Sequence, residues 1–592
     1  MIGHLSQADR ALRFVGAFIL ALMIGLGIWT LFQISEVRAY QVDEVEHLHA
    51  AYNLHIDKLP YHDFYQVHPP LLHYMLYPFT DPDDPVGSYR RGRHLALAVL
   101  LITLALCALC AARLSNPLGG LIALGLALSH TTLMERGMEI RPDNSVNLLA
   151  LLALYLELRA DKPSLKRYML QGFLLGVGLL LAQKTAFPSF AFGCLWLFTA
   201  VRIRNLWWAI LPVCVWAVPG LLGAAWLHSI GTLQEAFVSI FGGAYDAASG
   251  AEHRDTFSPW GYLKSESERN IPFVIFGILG SLRGLLDLLA PSEWLSKQRS
   301  PFPIPEGRPF AFPTFFTLIT IASLWLNPFP WPYVHPAPAL ALAMMAGALL
   351  GGMMAQRFKS PFSWQALLGA CMTLAIAALV SSPRLIEKSQ HRADPNSTGF
   401  QMFVIKELSR ITEPDDAVFD LVGFYFRPDA YPAYSLSKDL VGWYKEGAYP
   451  RMIPTLRENE VVAFVHTYRK KWLPEEELDF LKHRFIRYFG NIFILGTDVS
   501  NCKPDQEYVF EVLKTKPFVY EGPGELTVNG QPFTRGILAK GHHVITVKNN
   551  EGQGRLIMDT PPPKPPFPPE KIPGPGKMFL TEIDEDLNRV FD

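Results

Sequence analysis

Long runs of apolar residues alternate with short polar clusters over the first 383 positions of the chain. A helix that crosses a bilayer needs roughly 20 apolar residues, and eleven segments approach that length. The pattern therefore predicts a polytopic α-helical membrane protein with about 11 transmembrane helices. They lie near residues 13–34, 94–113, 117–134, 143–159, 168–183, 186–201, 206–228, 270–290, 310–327, 336–355 and 363–381.

The pattern changes after residue 383, where helical and strand periodicities alternate. Helices are predicted at 397–412 and 474–485, and strands at 417–426, 461–468 and 491–496. This alternation predicts an α/β domain over residues 384–500 with a partly parallel sheet. Short strands separated by Gly and Asn turns predict a small β-rich domain at 501–560. Residues 561–592 form a Pro-rich tail.

The charge distribution supports this division into a membrane module, residues 1–383, and a water-soluble remainder. Residues 384–592 contain 57 of the 107 charged residues of the 592-residue chain. This distribution excludes a single soluble globule and a disordered chain. The net charge of −1 also argues against a nucleic-acid partner, because such proteins normally carry a basic face.

The positive charges in the predicted loops give an orientation. With the N-terminus in the cytoplasm, the short inner loops carry 15 Lys and Arg residues and the longer outer loops carry 11. This bias places the N-terminus in the cytoplasm and the protein in the cytoplasmic (inner) membrane. An odd number of spans then makes the C-terminal domain extracytoplasmic (periplasmic). The outer loops at 35–93 and 229–269 are long, which is typical of functional loops.

The first outer loop contains a pair of acids, Asp43 and Glu44, directly after the first predicted span. Acids near the hydrocarbon boundary are costly and are therefore functional candidates. The following stretch is compatible with a helix, on which Asp43 and His47 share one face. The other interpretation of the acids is a solvated helix with negative charge at its positive N-terminus.

Three further polar clusters are predicted on the same side of the membrane. One contains Glu139, Arg141 and Asp143 after the third span, another is Lys184 between two spans, and the third includes His335. Arg grips phosphate oxygens with two donors, and Lys and His act as simpler donors. An acid beside such cations suits a site that handles a lipid-linked phosphate, where the acid accepts a proton from an attacking hydroxyl.

The combination of Asp43-Glu44, the segment His68-Pro69-Pro70-Leu71 and Arg141-Pro142-Asp143 resembles the GT-C glycosyltransferases. More narrowly, it is similar to the protein O-mannosyltransferase and lipid A aminoarabinose transferase group. The resemblance covers about residues 10–355. It implies a large first outer loop, a polyprenyl-phosphate sugar as donor and a glycan, lipid or protein as acceptor, all at the membrane.

By this resemblance, Asp43 matches the catalytic carboxylate of an inverting transferase and Glu44 matches its partner. The aminoarabinose transferases have Lys before Pro-Pro-Leu as a contact to the donor phosphate, and this chain has His68 there. Charge and location make Arg141 and Lys184 the other candidates for binding the donor phosphate. The supporting residues are predicted to be His47, Glu139, Asp143 and His335.

Two questions stay open at this stage. No cofactor is certain, but the i,i+4 spacing of Asp43 and His47 is compatible with either a divalent metal site or a simple hydrogen bond.

A transporter or flippase would also have many spans, although its polar groups usually lie near the membrane midplane. A scaffold of the cell envelope is the third alternative, and it would leave the acid pair and the Arg-Pro-Asp turn without a purpose.

Overall fold

The structure is a computed structural model, and it describes residues 7–160, 162–242, 267–289, 310–327, 334–390, 398–435, 449–500, 502–548 and 554–565, with residues 260, 264, 444 and 447. Much of the predicted second outer loop, residues 331–333 before His335 and most of the Pro-rich tail lie outside the described residues. The chain divides into two compact units. Unit 1 comprises residues 1–38, 66–75 and 92–390, and unit 2 comprises residues 39–65, 76–91 and 391–592.

Helices account for nearly all of the described structure up to residue 390. In chain order they are α1 (Gln7–Val37), α2 (Val42–His55), α3 (Leu71–Leu76), α4 (Pro85–Leu114), α5 (Pro117–Leu128), α6 (Thr131–Arg136), α7 (Pro142–Leu158), α8 (Leu165–Leu179), α9 (Ala186–Ile203), α10 (Trp207–Ser229), α11 (Leu233–Phe237), α12 (Ile271–Leu289), α13 (Ala311–Leu326), α14 (Pro336–Arg357) and α15 (Trp364–Gln390). A 3₁₀ turn, Gln183–Thr185, precedes α9.

Each of the eleven predicted spans falls on a helix. Because several of these helices are long and apolar, the protein is a multi-pass membrane protein. Among the described residues, six helices are long and apolar enough to cross a membrane: Gln7–Val37, Pro85–Leu114, Gln183–Ile203, Trp207–Ser229, Pro336–Arg357 and Trp364–Ile386. Three shorter apolar helices are Pro117–Leu128, Ile271–Leu286 and Ala311–Leu326. The predicted count of about 11 spans is not confirmed.

The predicted span at 117–134 is two helices rather than one. The chain bends after α5, and the Nδ1 atom of His130 accepts a hydrogen bond from the backbone N–H of Leu133 at 3.2 Å. This bond caps the start of α6, because the first N–H groups of a helix have no partner within the helix. A polar residue at the end of an apolar run thus divides the run, and α5 is only 12 residues long.

Small residues allow close packing of α5 against α14. A Cβ atom on Gly351 would lie 2.3 Å from the Cα of Gly119, and one on Gly119 would lie 2.8 Å from the carbonyl oxygen of Gly347. The side-chain amide of Asn116 donates to the carbonyl of Gly351 at 2.8 Å. Helices in lipid associate through such close van der Waals contact and interhelical hydrogen bonds, so the glycines set the spacing of these two helices.

The C-terminal part of unit 2 is built on two sheets. Its helices are α16 (Thr398–Ile411), α17 (Met452–Glu458) and α18 (Glu475–Arg484), and its strands are β1 (Val418–Phe419), β2 (Ala463–Val465), β3 (Phe485–Phe489), β4 (Ile492–Asp498), β5 (Glu507–Val512), β6 (Lys516–Glu521), β7 (Glu525–Val528), β8 (Gln531–Phe533), β9 (Arg535–Leu538), β10 (Gly541–Lys548) and β11 (Arg555–Met558). One sheet has the order β1-β2-β4-β11-β6-β9, with β3 paired to β4, and the other has the order β5-β10-β7-β8.

Strands β1 and β2 are parallel and the other pairs are antiparallel, as predicted for a partly parallel sheet. Strand β4 pairs with β11, so one sheet runs across the predicted boundary at residue 500. The predicted strand 417–426 is only two residues long. The carboxylate of Asp420 accepts the backbone N–H groups of Val422, Gly423 and Phe424 at 2.6–2.8 Å, and these bonds turn the chain out of the sheet.

Candidate active site

The three residues predicted to bind the donor phosphate, His68, Arg141 and Lys184, lie near the predicted supporting residue Asp143 in unit 1. The Nζ atom of Lys184 lies 2.7 Å from Oδ1 of Asp143. The charges of Lys184, Arg141 and His68 all act on the Asp143 carboxylate. The Lys184 side chain is 31% exposed and that of Asp143 is 12% exposed. A ligand can therefore reach the ammonium group, whereas the carboxylate mainly holds it in place.

A cleft in unit 1 begins at this ion pair. Its lining includes Asp143 and Lys184. Further along the same helices the lining is mostly apolar, with Val146, Ala150 and Leu151 on α7, Phe187 and Pro188 on α9, Phe316 on α13 and Leu340 on α14. Ligand pockets are typically lined by apolar side chains with a few polar groups that fix the orientation of the ligand. A cleft with a charged end and otherwise apolar walls suits an amphipathic ligand.

A second feature of unit 1 is a buried carboxylate held by three arginines. Glu139 is fully buried, and its oxygens lie 2.7 Å from Arg38, 2.8 Å from Arg136 and 2.8 Å from Arg141. Burial alone would raise the pKa of Glu139, but the three guanidinium groups outweigh burial and hold the pKa well below its usual range. Glu139 therefore positions Arg141 rather than contacting a ligand.

Replacement of Glu139 by Gln is expected to destabilise the protein by about 3–5 kcal/mol, because it leaves buried guanidinium groups without their counter-charge. The measurement is thermal unfolding of the purified protein in detergent. The control is Glu268→Gln, since Glu268 makes an exposed pair with Lys264 at 4.0 Å and such pairs contribute about 0–1 kcal/mol. Equal melting temperatures for the two variants would contradict the assigned role of Glu139.

The segment that carries His68 is braced by two neighbours. The Oε1 atom of Gln66 accepts the backbone N–H groups of Val67 and His68 at 2.8 and 3.1 Å. Its side-chain nitrogen then faces Nε2 of His73 at 3.4 Å. Because the amide nitrogen can only donate, Nε2 of His73 is the acceptor and its ring is neutral. Burial lowers the pKa of His73 to about 3, and the nearby His68 adds to this effect.

Acidification is therefore expected to destabilise the protein through His73. Its pKa is about 3 when folded and 6.5 when unfolded, so the unfolded state binds the extra proton between these values. The free energy of unfolding should fall by about 1.4 kcal/mol per pH unit below pH 6.5. Melting temperatures from pH 7.5 to pH 5 measure the effect, and His73→Gln should flatten the profile. An unchanged slope in that variant would exclude His73 as the cause.

His335 lies at the start of α14, as the residue before its first turn, and is nearly buried. The flanking residues Val334 and Ala337 line the cleft. The structure thus places His335 beside the cleft wall, consistent with a supporting role, which stays a prediction.

The predicted acid pair lies at the start of α2, in unit 2. Glu44 is fully buried, and its carboxylate accepts the backbone N–H of Gln41 at 3.0 Å, which caps the helix. Asp43 is half-buried, and His47 on the same helix face is buried. The two acids therefore differ in environment, since Glu44 stabilises the helix start and Asp43 is more accessible.

Arg469 was missed by the sequence analysis, although it is close to the first-loop acids within unit 2. It is buried, and its guanidinium donates to the carbonyl of Leu421 at 3.1 Å and to Oγ of Ser435 at 3.0 Å. The Ser435 hydroxyl in turn donates to the Glu46 carboxylate at 2.6 Å. Burial alone would lower the pKa of Arg469, but Tyr468, Glu46 and Asp43 raise it. In sequence, Arg469 belongs to an Arg-Lys-Lys run that resembles an ordinary solvated surface.

Helix α2 is anchored to the rest of unit 2 by His49. Its Nδ1 atom lies 2.6 Å from the carbonyl of Tyr425 and its Nε2 atom lies 2.6 Å from Asp429. Asp429 also accepts from Asn53 and Lys58, at 2.9 and 3.3 Å. Gly423 allows this approach, because its φ is +74° and a Cβ there would lie 2.6 Å from the Tyr434 ring. These contacts fix the helix that presents Asp43.

One structural observation concerns whether the protein binds a divalent metal ion. Within the described part of the chain, one group of three acids could hold an ion, Glu413, Asp415 and Asp416. Lys514 and Lys516 make ion pairs with all three at 2.8–3.1 Å, so this group is already neutralised by cations. Asp43 and His47 are outside it.

No family model matches the chain, and no curated protein matches it. Several solved structures are similar. ArnT from Cupriavidus metallidurans, solved in the apo state and bound to undecaprenyl phosphate, matches 90% of this chain and 98% of its own, with 12% identity and a TM-score of 0.47. The oligosaccharyltransferase of Archaeoglobus fulgidus, in a complex with Zn and sulfate, matches 81% and 71%, with 11% identity and a TM-score of 0.40.

The arabinosyltransferase EmbB from Mycobacterium smegmatis matches 92% of this chain and 64% of its own, with 10% identity and a TM-score of 0.39. These solved structures are at most 12% identical to the chain, with TM-scores below 0.5, and the residue roles proposed below depend on the geometry of each unit.

Proposed function

We propose that the protein is a membrane glycosyltransferase that moves a sugar from a polyprenyl phosphate to an acceptor hydroxyl. The observation that supports this most directly is the Lys184–Asp143 ion pair, with Arg141 and His68 beside it, at the start of an apolar cleft in unit 1. Cations recognise the phosphate and the apolar walls suit the isoprenoid chain. The acceptor is a glycan, a lipid or a protein that carries a hydroxyl.

The reaction we propose is a single displacement with inversion at the anomeric carbon. The acceptor oxygen forms a bond to that carbon while the bond from the carbon to the phosphate oxygen breaks. The electron pair of the broken bond leaves with the polyprenyl phosphate. Lys184, Arg141 and His68 offset the charge that develops there, and cations held in place before the reaction are well suited to this task.

Asp43 is the proposed general base, and it accepts the proton of the attacking hydroxyl. Three features of unit 2 support this assignment over Glu44. Asp43 is half-buried and Glu44 is fully buried, Glu44 caps α2, and the His49–Asp429 pair fixes the helix on which Asp43 lies. The charge of Asp43 helps to raise the pKa of Arg469, so a guanidinium group acts on the proposed base within unit 2.

We also propose that the protein lies in the cytoplasmic membrane with its N-terminus in the cytoplasm, so that the C-terminal domain and the reaction are periplasmic. The excess of Lys and Arg in the predicted inner loops supports this orientation. Reporter fusions after residues 38, 205 and 560 provide the test. A periplasmic reporter should be active after residues 38 and 560 and inactive after 205, and the reverse pattern would contradict the proposal.

The experiment that tests the function is an assay of the purified protein in liposomes with a set of radiolabelled polyprenyl-phosphate sugars. A glycosyltransferase releases free polyprenyl phosphate and transfers label to an acceptor extracted from envelope membranes. Movement of intact labelled donor across the bilayer without cleavage would instead identify a flippase. Dialysis against EDTA, followed by addition of Mg²⁺ or Mn²⁺, tests whether Asp43 and His47 work with a divalent metal.

A further inference from the structure

One face of the first sheet in unit 2 combines aromatic and basic side chains. Phe464 and Phe493 face each other across strands β2 and β4 in the ladder, and Arg487 on β3 lies opposite Phe493. The ring of His466 lies 6.0 Å from that of Phe464 and 5.8 Å from that of Phe493. The Nζ atom of Lys470 lies 5.7 Å from the centre of the Phe464 ring.

The positive charges on this face act on one another. Lys482, on α18, acts on Lys470, and both Lys470 and Arg487 act on His466. Burial together with these like charges lowers the pKa of His466 to about 4 and lowers that of Lys470. Neither Lys470, Lys482 nor Arg487 makes an ion pair with an acid among the residues that the structure describes. Like charges held close together repel one another, and an anion bound among them relieves that repulsion.

Two polar side chains of the same region also lack hydrogen-bond partners. The backbone N–H of His466 donates to the carbonyl of Asn491 at 2.8 Å, so these residues lie opposite each other. Both amide atoms of Asn491 and the Nδ1 atom of His466 are buried without a partner in the described structure. Buried polar groups are nearly always paired, and the described residues leave the hydrogen-bonding capacity of these three atoms unused.

We propose that this face binds an anionic sugar, namely a pyranose that carries a phosphate or carboxylate group. Lys470 and Arg487 provide charged donors for the anion. Asn491 offers two donors and one acceptor oxygen to sugar hydroxyls, and the half-buried ring of Phe493 provides an apolar surface for the sugar ring. A site for a simple anion would use Lys470 and Arg487 but would have no use for the Phe493 ring or the Asn491 amide. The presence of all of them therefore favours a sugar that carries an anionic group.

The proposal is independent of the transfer reaction, because none of these side chains belongs to the set assigned to catalysis. Its failure and the failure of the proposed function are therefore separable, since one is measured as binding at equilibrium and the other as release of polyprenyl phosphate. If both hold, the face is the place where a charged acceptor glycan is recognised.

Calorimetric titration of the full-length protein in detergent tests this site with three probes: glucose 1-phosphate, inorganic phosphate and glucose. We expect saturable binding of glucose 1-phosphate, at least tenfold weaker binding of inorganic phosphate and no measurable binding of glucose. Lys470→Met and Arg487→Met should each weaken binding of glucose 1-phosphate at least tenfold. Lys503→Met is the matched control, because Lys503 is an exposed lysine of the same unit, and it should leave binding unchanged.

Phe493→Leu separates the sugar from the anion. It should weaken binding of glucose 1-phosphate several-fold and leave that of inorganic phosphate unchanged. Melting temperatures within 2 °C of wild type, on the order of 1 kcal/mol or less in stability, identify the variants that are folded. Equal affinity of the wild type for inorganic phosphate and glucose 1-phosphate would overturn the proposal in favour of a simple anion patch. Unchanged binding in folded Lys470→Met and Arg487→Met proteins would also overturn it.

Discussion

Replacement of Asp43 by Asn is expected to reduce the turnover number for sugar transfer by about 100- to 10,000-fold, the range typical of the loss of a general base. The change keeps the size of the side chain and removes its ability to accept a proton. Because Asp43 is half-buried at the start of α2 and Glu44 provides the helix cap, the fold should persist. The measurement is release of polyprenyl phosphate at saturating donor.

The matched control for this prediction is Asp57→Asn. Asp57 is an exposed acid of the same loop with a φ of +57°, a conformation that Asn tolerates well. Its turnover should equal that of the wild type. If Asp43→Asn and Asp57→Asn are both as active as the wild type, Asp43 is not the base.

Replacement of Lys184 by Met is expected to lower kcat/KM for the donor roughly 10- to 100-fold, because a hydrogen bond to a charged group contributes about 1.5–3 kcal/mol. The effect should fall mainly on KM if Lys184 holds the phosphate in the ground state, and on kcat if it acts in the transition state. The control is Lys166→Met, an exposed lysine in a predicted inner loop, which should have no effect.

The ion pair between Lys184 and Asp143 allows two possible roles of Lys184 to be distinguished by a double variant. If Lys184 serves only to neutralise the buried acid, the double variant Asp143→Asn, Lys184→Met should regain wild-type activity. If Lys184 binds the donor phosphate, the double variant should stay as impaired as Lys184→Met alone. The single variant Asp143→Asn leaves Lys184 charged but no longer oriented by an ion pair. The kcat/KM of Asp143→Asn should therefore lie between those of the wild type and of Lys184→Met.

The sequence was most informative where one physical effect dominates. Transfer of apolar residues into lipid decides where the helices of unit 1 lie, so all eleven predicted segments are helical. Local polar contacts decide where a helix or strand ends, and these are hard to predict from periodicity. Asp420 ends β1 with three hydrogen bonds to backbone N–H groups, and His130 divides a single apolar run into α5 and α6.

The same distinction applies to the candidate site. Charge and location marked Arg141 and Lys184 in the sequence, since isolated charges beside apolar runs are conspicuous, and the resemblance marked His68; the structure brings all three near Asp143, while their role stays a prediction. Arg469 is about 420 residues away from the acids on which it acts, and its role depends on a Ser435 hydroxyl that no pattern marks. Tertiary contacts over such a separation are invisible in a single sequence.

The three arginines around Glu139 have a consequence for the rate of turnover. Three arginines surround the Glu139 carboxylate, and the Glu135 carboxylate also acts on Arg136. The group keeps a positive surplus, and Arg141 cannot swing away without breaking a buried ion pair. In the proposed reaction the donor is a phosphodiester with one negative charge, whereas the departing lipid is a monoester with roughly 1.5 to 2. Cations held this firmly bind the more highly charged product more tightly, so the spent lipid carrier is expected to leave the site more slowly than unreacted donor does.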